Sequence, residues 1–378
     1  MDANGGHRPI ISSKVTDAAG LWFSTASEGA ASDTFEDYRK YQSRKWVFIA
    51  VCMMVTVIVA ALAITYGAYD LSIIDVYSII FDHITGNIQD TDMDYVVVTL
   101  RSPRVVVAII AGVALAIAGV VMQSTLLNPL ADPYTTGISS GASFGATMAM
   151  TLGLTVASGQ YAIVLNAFIF SLIPMFVILG VARLKHASPT TMIMAGIAIM
   201  YVFNACTTVM MLWADPNDMD AVYEWQVGSV SKNKWAEIPL MLVVTVIGTV
   251  IMQILSRKLN VLATGDDSAR SLGMNVDQMR TLNLLVVSLM TAAIVSFTGM
   301  IGFVGLVAPH IARLFVGPDN RFLIPASAAL GAALLVCADL LGRIVIAPAV
   351  LPVGVIMSFI GGPMFLWLML RKKSRMWS

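Results

Sequence analysis

The chain has 378 residues, 57% of them hydrophobic and only 12% charged, whereas about a quarter are charged in ordinary soluble domains. A water-soluble core cannot absorb that excess without large exposed apolar patches, and the chain is too apolar to be disordered. Lys plus Arg and Asp plus Glu each number 23, so the formal charge is zero and no basic face for nucleic acid is implied; a multi-spanning membrane protein is the class that remains.

Residues 1–45 are polar and lack the apolar stretch of a cleaved signal peptide. They end on Arg39, Lys40, Arg44 and Lys45 just before an apolar run, a placement that keeps such a tail in the cytoplasm. A short helix is expected over 35–43. A span needs about 20 predominantly apolar residues. Uniform candidates are 46–68, 105–125, 163–184, 192–213, 239–255 and 282–297, and those broken by Gly and Pro are 137–154, 303–315, 323–346 and 353–370. The expected architecture is all-α, a polytopic transmembrane domain over 46–373 with about ten transmembrane helices, and 374–378 as a cytoplasmic end. The 303–315 piece is short, which leaves nine spans or a re-entrant segment open. With both ends inside, eighteen of the 23 basic residues fall on the cytoplasmic side. The other five, Arg101, Arg104, Lys232, Lys234 and Arg343, fall outside. Eleven acids lie on the outer segments and Asp339 lies within a span, so the zero net charge hides an oriented chain.

No GxxxxGK[ST], HExxH or GxSxG stretch is present, so the chain does not bind ATP in the P-loop manner, any chemistry belongs to a partner, and the chain is expected to be no enzyme and to hold no cofactor or metal. Cys52, Cys206 and Cys337 lie in apolar stretches without metal-ligand spacing. Gly137, Gly141 and Gly145 form overlapping GxxxG steps, and Ala108, Gly112 and Ala116 form another small-residue row. In lipid such rows let backbones approach closely. Packing within a bundle and lining of a passage between two subunits both fit. Asn128-Pro129-Leu130-Ala131-Asp132-Pro133 interrupts an apolar region, with Ser139, Ser140 and Ser143 following. Irregular backbone at membrane depth needs protein or a water-filled cavity to receive its polar groups.

The cytoplasmic stretch 257–280 carries further signals. Asp266 is expected to cap a short helix through Ser268, Ala269 and Leu272, with Gly273 ending it. Asn275, with Gln278 three residues on, resembles a second cap. Two short helices at an angle on the membrane face would suit insertion into a groove on another protein; a plain connecting loop is the alternative. On the outer side, Arg101 and Arg104 stand at the entry of one span, where charges often only snorkel. Arg343 follows Asp339 by four residues, a spacing that allows an ion pair. Such a pair at membrane depth is either functional or mutually neutralising.

Together these segments resemble the permease subunits of type II ATP-binding-cassette importers, the FecCD-like group that takes up iron–siderophore complexes, haem and vitamin B12. The resemblance runs from about Arg101 to Lys373. It rests on Arg101-Ser-Pro-Arg104, Asn128-Pro-Leu-Ala-Asp-Pro133 with Gly137-Ile-Ser-Ser-Gly141, and Gly302-Phe-Val-Gly-Leu-Val-Ala-Pro-His-Ile-Ala-Arg313. Leu351-Pro-Val-Gly354 and Gly362-Pro-Met-Phe365 complete it. The resemblance implies a homodimer with the path at the subunit interface, two separate ATPase subunits using ATP and Mg, and an extracytoplasmic substrate-binding protein. It implies a location in the cytoplasmic membrane of a prokaryote. Asp266, Asp267, Ala269, Arg270, Leu272 and Gly273 look like the family's ATPase-coupling segment. Arg101, Arg104 and Arg343 look like its contacts to acidic residues of the binding protein. Ser188, Thr190 and Thr191 fall at its cytoplasmic gate, and Met194, Met200, Ser139 and Ser140 along the path. Where family members commonly carry Glu before Leu-Pro-Val-Gly, this chain has Val350, and its polar N-terminal tail is longer than the family's usual one.

Three functions follow. The first is an ATP-driven importer subunit for a metal chelate, most readily an iron–siderophore complex, with cobalamin and haem as alternatives. Its candidate path offers Met192, Met194, Met200, Met210 and Met211, soft surfaces suited to a bulky cargo or simply to lipid and core packing. The second is an ion-gradient-driven transporter, which usually needs ionisable residues near the midplane; only Asp339 lies well inside a span. The third, a membrane receptor or scaffold, leaves the coupling-like segment unexplained.

Overall fold

The computed structural model of the protein describes residues 42–67, 71–185, 188–347 and 349–370. The chain divides into a unit Met1–Val47 and a unit Phe48–Ser378. Of the first, only 42–47 are described, as the start of a helix, so the polar tail and nearly all of the expected 35–43 helix lie outside the described residues. Among the described residues there is no strand.

The apolar runs form helices α1 (Gln42–Thr65), α3 (Thr91–Thr125), α4 (Ile138–Leu152), α5 (Ala162–Lys185), α6 (Pro189–Met211), α8 (Ile238–Leu262), α10 (Val276–Thr298), α11 (Val304–Val316), α12 (Asn320–Ile344) and α13 (Val353–Leu370). These ten correspond one for one to the expected segments. Seven are long and apolar enough to cross a membrane, namely α1, α3, α5, α6, α8, α10 and α12, and α4, α11 and α13 are shorter. Three more helices connect them: α2 (Ile73–Thr85), α7 (Pro216–Val227) and α9 (Asp266–Ser271).

Side-chain size decides which helices are central. In the most apolar stretch of α3, 83% of residues are buried, against 22% in α1 and α6, so α3 is the axis and the latter two face lipid or a partner. The small-residue rows explain this. A Cβ on Gly112 would stand 2.7 Å from the Gly331 carbonyl carbon of α12, and one on Gly119 would stand 2.6 Å from Gly305 Cα of α11. Gly141 and Gly145 meet the α5 backbone at Phe170 and Asn166 in the same manner. Both rows therefore serve close packing within the chain.

Several boundaries differ from expectation. Arg101 to Arg104 do not open a helix; they lie within α3, which starts at Thr91. Residues 95–101 form a π-helical stretch in which the Ser102 N–H donates to the Val97 carbonyl. Pro103 lacks an N–H for the normal ladder, and a wide turn just before it accommodates the lost bond. The Trp235 indole donates to the Val98 carbonyl at 2.7 Å, satisfying one group of that stretch. The 257–280 segment is also less of a loop than expected, because α8 runs to Leu262 and α10 begins at Val276. α2 and α7 had signals that sequence reading passed over. Ser72 and Asp75 make a reciprocal capping box ahead of α2, and Gly86 ends it in the left-handed region. Asp215-Pro216 opens α7.

Candidate coupling, gating and docking sites

Between α8 and α10, α9 is a six-residue helix flanked by Gly265 (φ 104°) and Gly273 (φ 81°), both in conformations side chains rarely adopt. The expected cap is not the one formed. Gly265 occupies the N-cap position and Asp266 is the first helical residue; its carboxylate accepts from Arg280 Nη2 at 2.7 Å instead of from the α9 backbone. The far end follows expectation: the Gly273 N–H donates to Arg270 and the Met274 N–H to Ala269, closing the helix. Asn275 accepts from the Gln278 N–H at 3.0 Å and caps α10, so the second expected short helix is the first turn of a long one. Ala269 is fully buried, whereas Asp267, Arg270 and Gly273 are exposed and Leu272 is 72% exposed. Leu272 is thus an open apolar side chain next to the Gly273 joint.

Ser188 caps α6, accepting from the Thr191 N–H at 3.3 Å and lying 3.0 Å from the Thr191 hydroxyl, with Pro189 at the first helical position. Thr190 and Thr191 are exposed. Along α6 only Met192, Gly196, Phe203 and Thr207 are buried. Met192 therefore belongs to the core, while Met194 is open and Met200 half-buried. Beside this helix Ser143, Asn204, Thr207, Thr208, Tyr223 and Gln226, with Met211, Met219 and Met300, line a recess of about 470 Å³ that contains no charged side chain. Ser139 and Ser140 are buried one turn away from it, and Ser143 is the serine of this group that reaches it.

The loop joining α3 to α4 is held by its own polar groups. The Asp132 carboxylate accepts from the Thr135 N–H at 2.8 Å. Burial nevertheless pushes its carboxyl up to about 6, the hydrogen bonds from Thr135 and Tyr134 only partly opposing it. The Tyr134 hydroxyl accepts from the Ile301 N–H at 2.8 Å, tying the loop to the start of α11.

Near the ends of α1 and α12, two arginines meet one carboxylate and a third lies beside them on the α1 backbone. Arg104 Nε donates to Asp339 Oδ1 at 2.8 Å, and Arg343 donates to Asp339 Oδ2 through Nε at 3.1 Å and through Nη2. The ion pair expected from the i, i+4 spacing is thus present, joined by a second arginine. Arg343 Nη1 also donates to the Ala63 carbonyl at 2.6 Å, and Arg101 Nη1 to those of Ile64 at 3.0 Å and Thr65 at 2.5 Å. These are the last carbonyls of α1, which a helix end leaves without partners of its own. Asp339 is 1% exposed, and the three guanidiniums are buried or nearly so.

The chain matches the FecCD transport family over residues 54–371. It belongs to that family. It is 35% identical to the hemin transport system permease protein of Yersinia pestis, covering 87% of this chain and 97% of that one. It is 39% identical to the cobalamin import system permease protein of Halobacterium salinarum, over 74% of each chain. A Bacillus subtilis Fe(3+)-citrate import system permease protein is 33% identical over 87% of this chain and 96% of its own length. Among solved structures, one described as an inward-facing metal-chelate type ABC transporter superposes with a TM-score of 0.76 at 25% identity, covering 86% of this chain and 99% of that one. These relatives are transport permeases, consistent with the all-α polytopic fold.

Proposed function

We propose that this FecCD-family chain is the membrane-spanning subunit of an ATP-binding-cassette importer that carries a metal chelate, of iron–siderophore type, across the cytoplasmic membrane. Two copies would form the path at their interface, with two ATPase subunits on the cytoplasmic side and a substrate-binding protein outside. The observation that carries the reading is α9, a short helix on two glycine joints with Leu272 exposed at its end. Asp266, Asp267, Ala269, Arg270, Leu272 and Gly273 are its proposed ATPase contact, and Ser188, Thr190 and Thr191 its cytoplasmic gate. The open face of α6, including Met194 and Met200, supports a path lined by soft and uncharged groups. Ser139 and Ser140 would act behind that lining. Such a surface lets a bulky chelate pass without binding it tightly. Arg101, Arg104 and Arg343 are the proposed docking contact for acidic residues of the binding protein. Two guanidiniums on one carboxylate, with the Arg101 guanidinium close by on the α1 carbonyls, leave a positive surplus beneath an outer face rich in acids. Asp339 already serves two arginines, which argues against its acting as the proton or sodium site of a gradient-driven transporter.

The test is uptake into proteoliposomes holding this chain, its co-purified ATPase subunits and its binding protein. Labelled haem, ferric citrate, a ferric hydroxamate and cobalamin are offered in turn. ATP-dependent uptake of a ferric siderophore is expected. Uptake that proceeds equally without the ATPase, and follows a proton or sodium gradient, refutes the reading.

A further inference from the structure

Three consecutive polar residues close α3, and each reaches a different helix. Gln123 accepts from Arg313 of α11 at 2.8 Å, and the Ser124 hydroxyl donates to Asn320 of α12 at 3.3 Å. The Thr125 hydroxyl accepts from Asn283 of α10 at 3.0 Å. The Thr125 carbonyl, which the helix end leaves open, accepts from Arg280 Nε at 3.3 Å. Nη2 of the same guanidinium donates to the Asp266 carboxylate of α9 at 2.7 Å. The Arg280 side chain is 4% exposed. One buried side chain therefore joins the first residue of α9 to the last residue of the central helix. α9 has few other ties: Ala269 is its single buried residue, and a Cβ at Gly265 or Gly273 would meet nothing within 4 Å.

We infer that Arg280 is a positioning residue of the transport cycle, a strut that passes displacement of α9 to the cytoplasmic end of α3 and thence through Gln123 and Ser124 to α11 and α12. This rests on the reading of α9 as the ATPase contact. The planar guanidinium suits the task because its rigid fork fixes two acceptors relative to each other, which a lysine ammonium cannot do. A load applied to Asp266 is then transmitted to the Thr125 carbonyl without a flexible joint. The axis so moved also carries the outer arginine cluster through Arg104, so both faces of the protein are mechanically continuous through α3.

The experiment is hydrogen exchange on the full assembly in nanodiscs, with the ATPase subunits bound, with and without ATP plus vanadate. In the wild type, trapping is expected to change exchange both in α9 and at residues 122–126. In Arg280→Lys and in Asp266→Ala the response at 122–126 should fall roughly tenfold relative to that of α9, and Arg280→Lys, which lies outside the proposed ATPase contact, should retain ATP hydrolysis. Asp266 is partly exposed at a helix start, so its variant tests the strut without depending on a buried substitution. A purely structural role would instead speed exchange at 122–126 equally with and without nucleotide. A full response at 122–126 in both variants, or an α9 response without one at 122–126 in the wild type, overturns the strut alone. No response at α9 in the wild type overturns the importer reading and the strut with it.

Discussion

Asp339→Asn preserves the shape of the side chain at the arginine cluster and removes the one charge that Arg104 and Arg343 share. Each hydrogen bond to a charged group contributes about 1.5–3 kcal/mol, and removing one partner of a buried ion pair costs about 3–5 kcal/mol. Here the lost carboxylate serves two guanidiniums, which pushes the cost toward the upper end. Two effects offset it: the amide oxygen still accepts one hydrogen bond, and Arg104, at 11% side-chain exposure, can turn toward water. A net loss of about 3–4 kcal/mol is expected. Arg104→Gln should cost less, about 1–2 kcal/mol, because Arg343 keeps its carboxylate. Unfolding in mixed micelles, followed by intrinsic tryptophan fluorescence, measures both, and the double variant gives their coupling. A loss below about 1 kcal/mol for Asp339→Asn, the range of exposed pairs, would refute the reasoning by showing that water reaches the cluster.

Gly119→Ala should destabilise by about 1–3 kcal/mol in the same assay, since its methyl group would press on the Gly305 backbone, which cannot rotate away as a side chain would. Gly273→Ala should cost about 1–2 kcal/mol through its left-handed backbone alone, and a neutral result would mean that α9 ends differently. For Asp132, folding raises the carboxyl to about 6, so the folded state binds the proton more tightly and stability declines as pH rises from about 4 to about 6. Asp132→Asn keeps the acceptor for Thr135 and should flatten that dependence; an unchanged pH profile of the unfolding midpoint would show that Asp132 is not its source.

Hydropathy and local chemistry, both readable along the chain, determined a good deal of this protein. A bilayer demands about 20 apolar residues per crossing whatever the neighbours do, so the ten main helices are legible one at a time. The Asn275 cap and the Gly273 stop are legible for the same reason, because a cap involves residues three or four apart. Legibility ended where partners are distant. Arg101 and Arg104 read as residues at a span entry, yet they lie inside α3, because a π turn ahead of Pro103 lets the helix begin earlier. Asp266 read as a backbone cap, yet it pairs with an arginine fourteen residues on that also grips the end of another helix. Neither Gln123-Ser124-Thr125 nor Arg280 carries a sequence signal, since their roles depend on which helices the small residues of α3 allow to approach. The spans follow from the solvent each segment must satisfy alone; the arginine cluster and the strut follow from tertiary packing, because in lipid a buried charge persists only where another part of the chain supplies its partner.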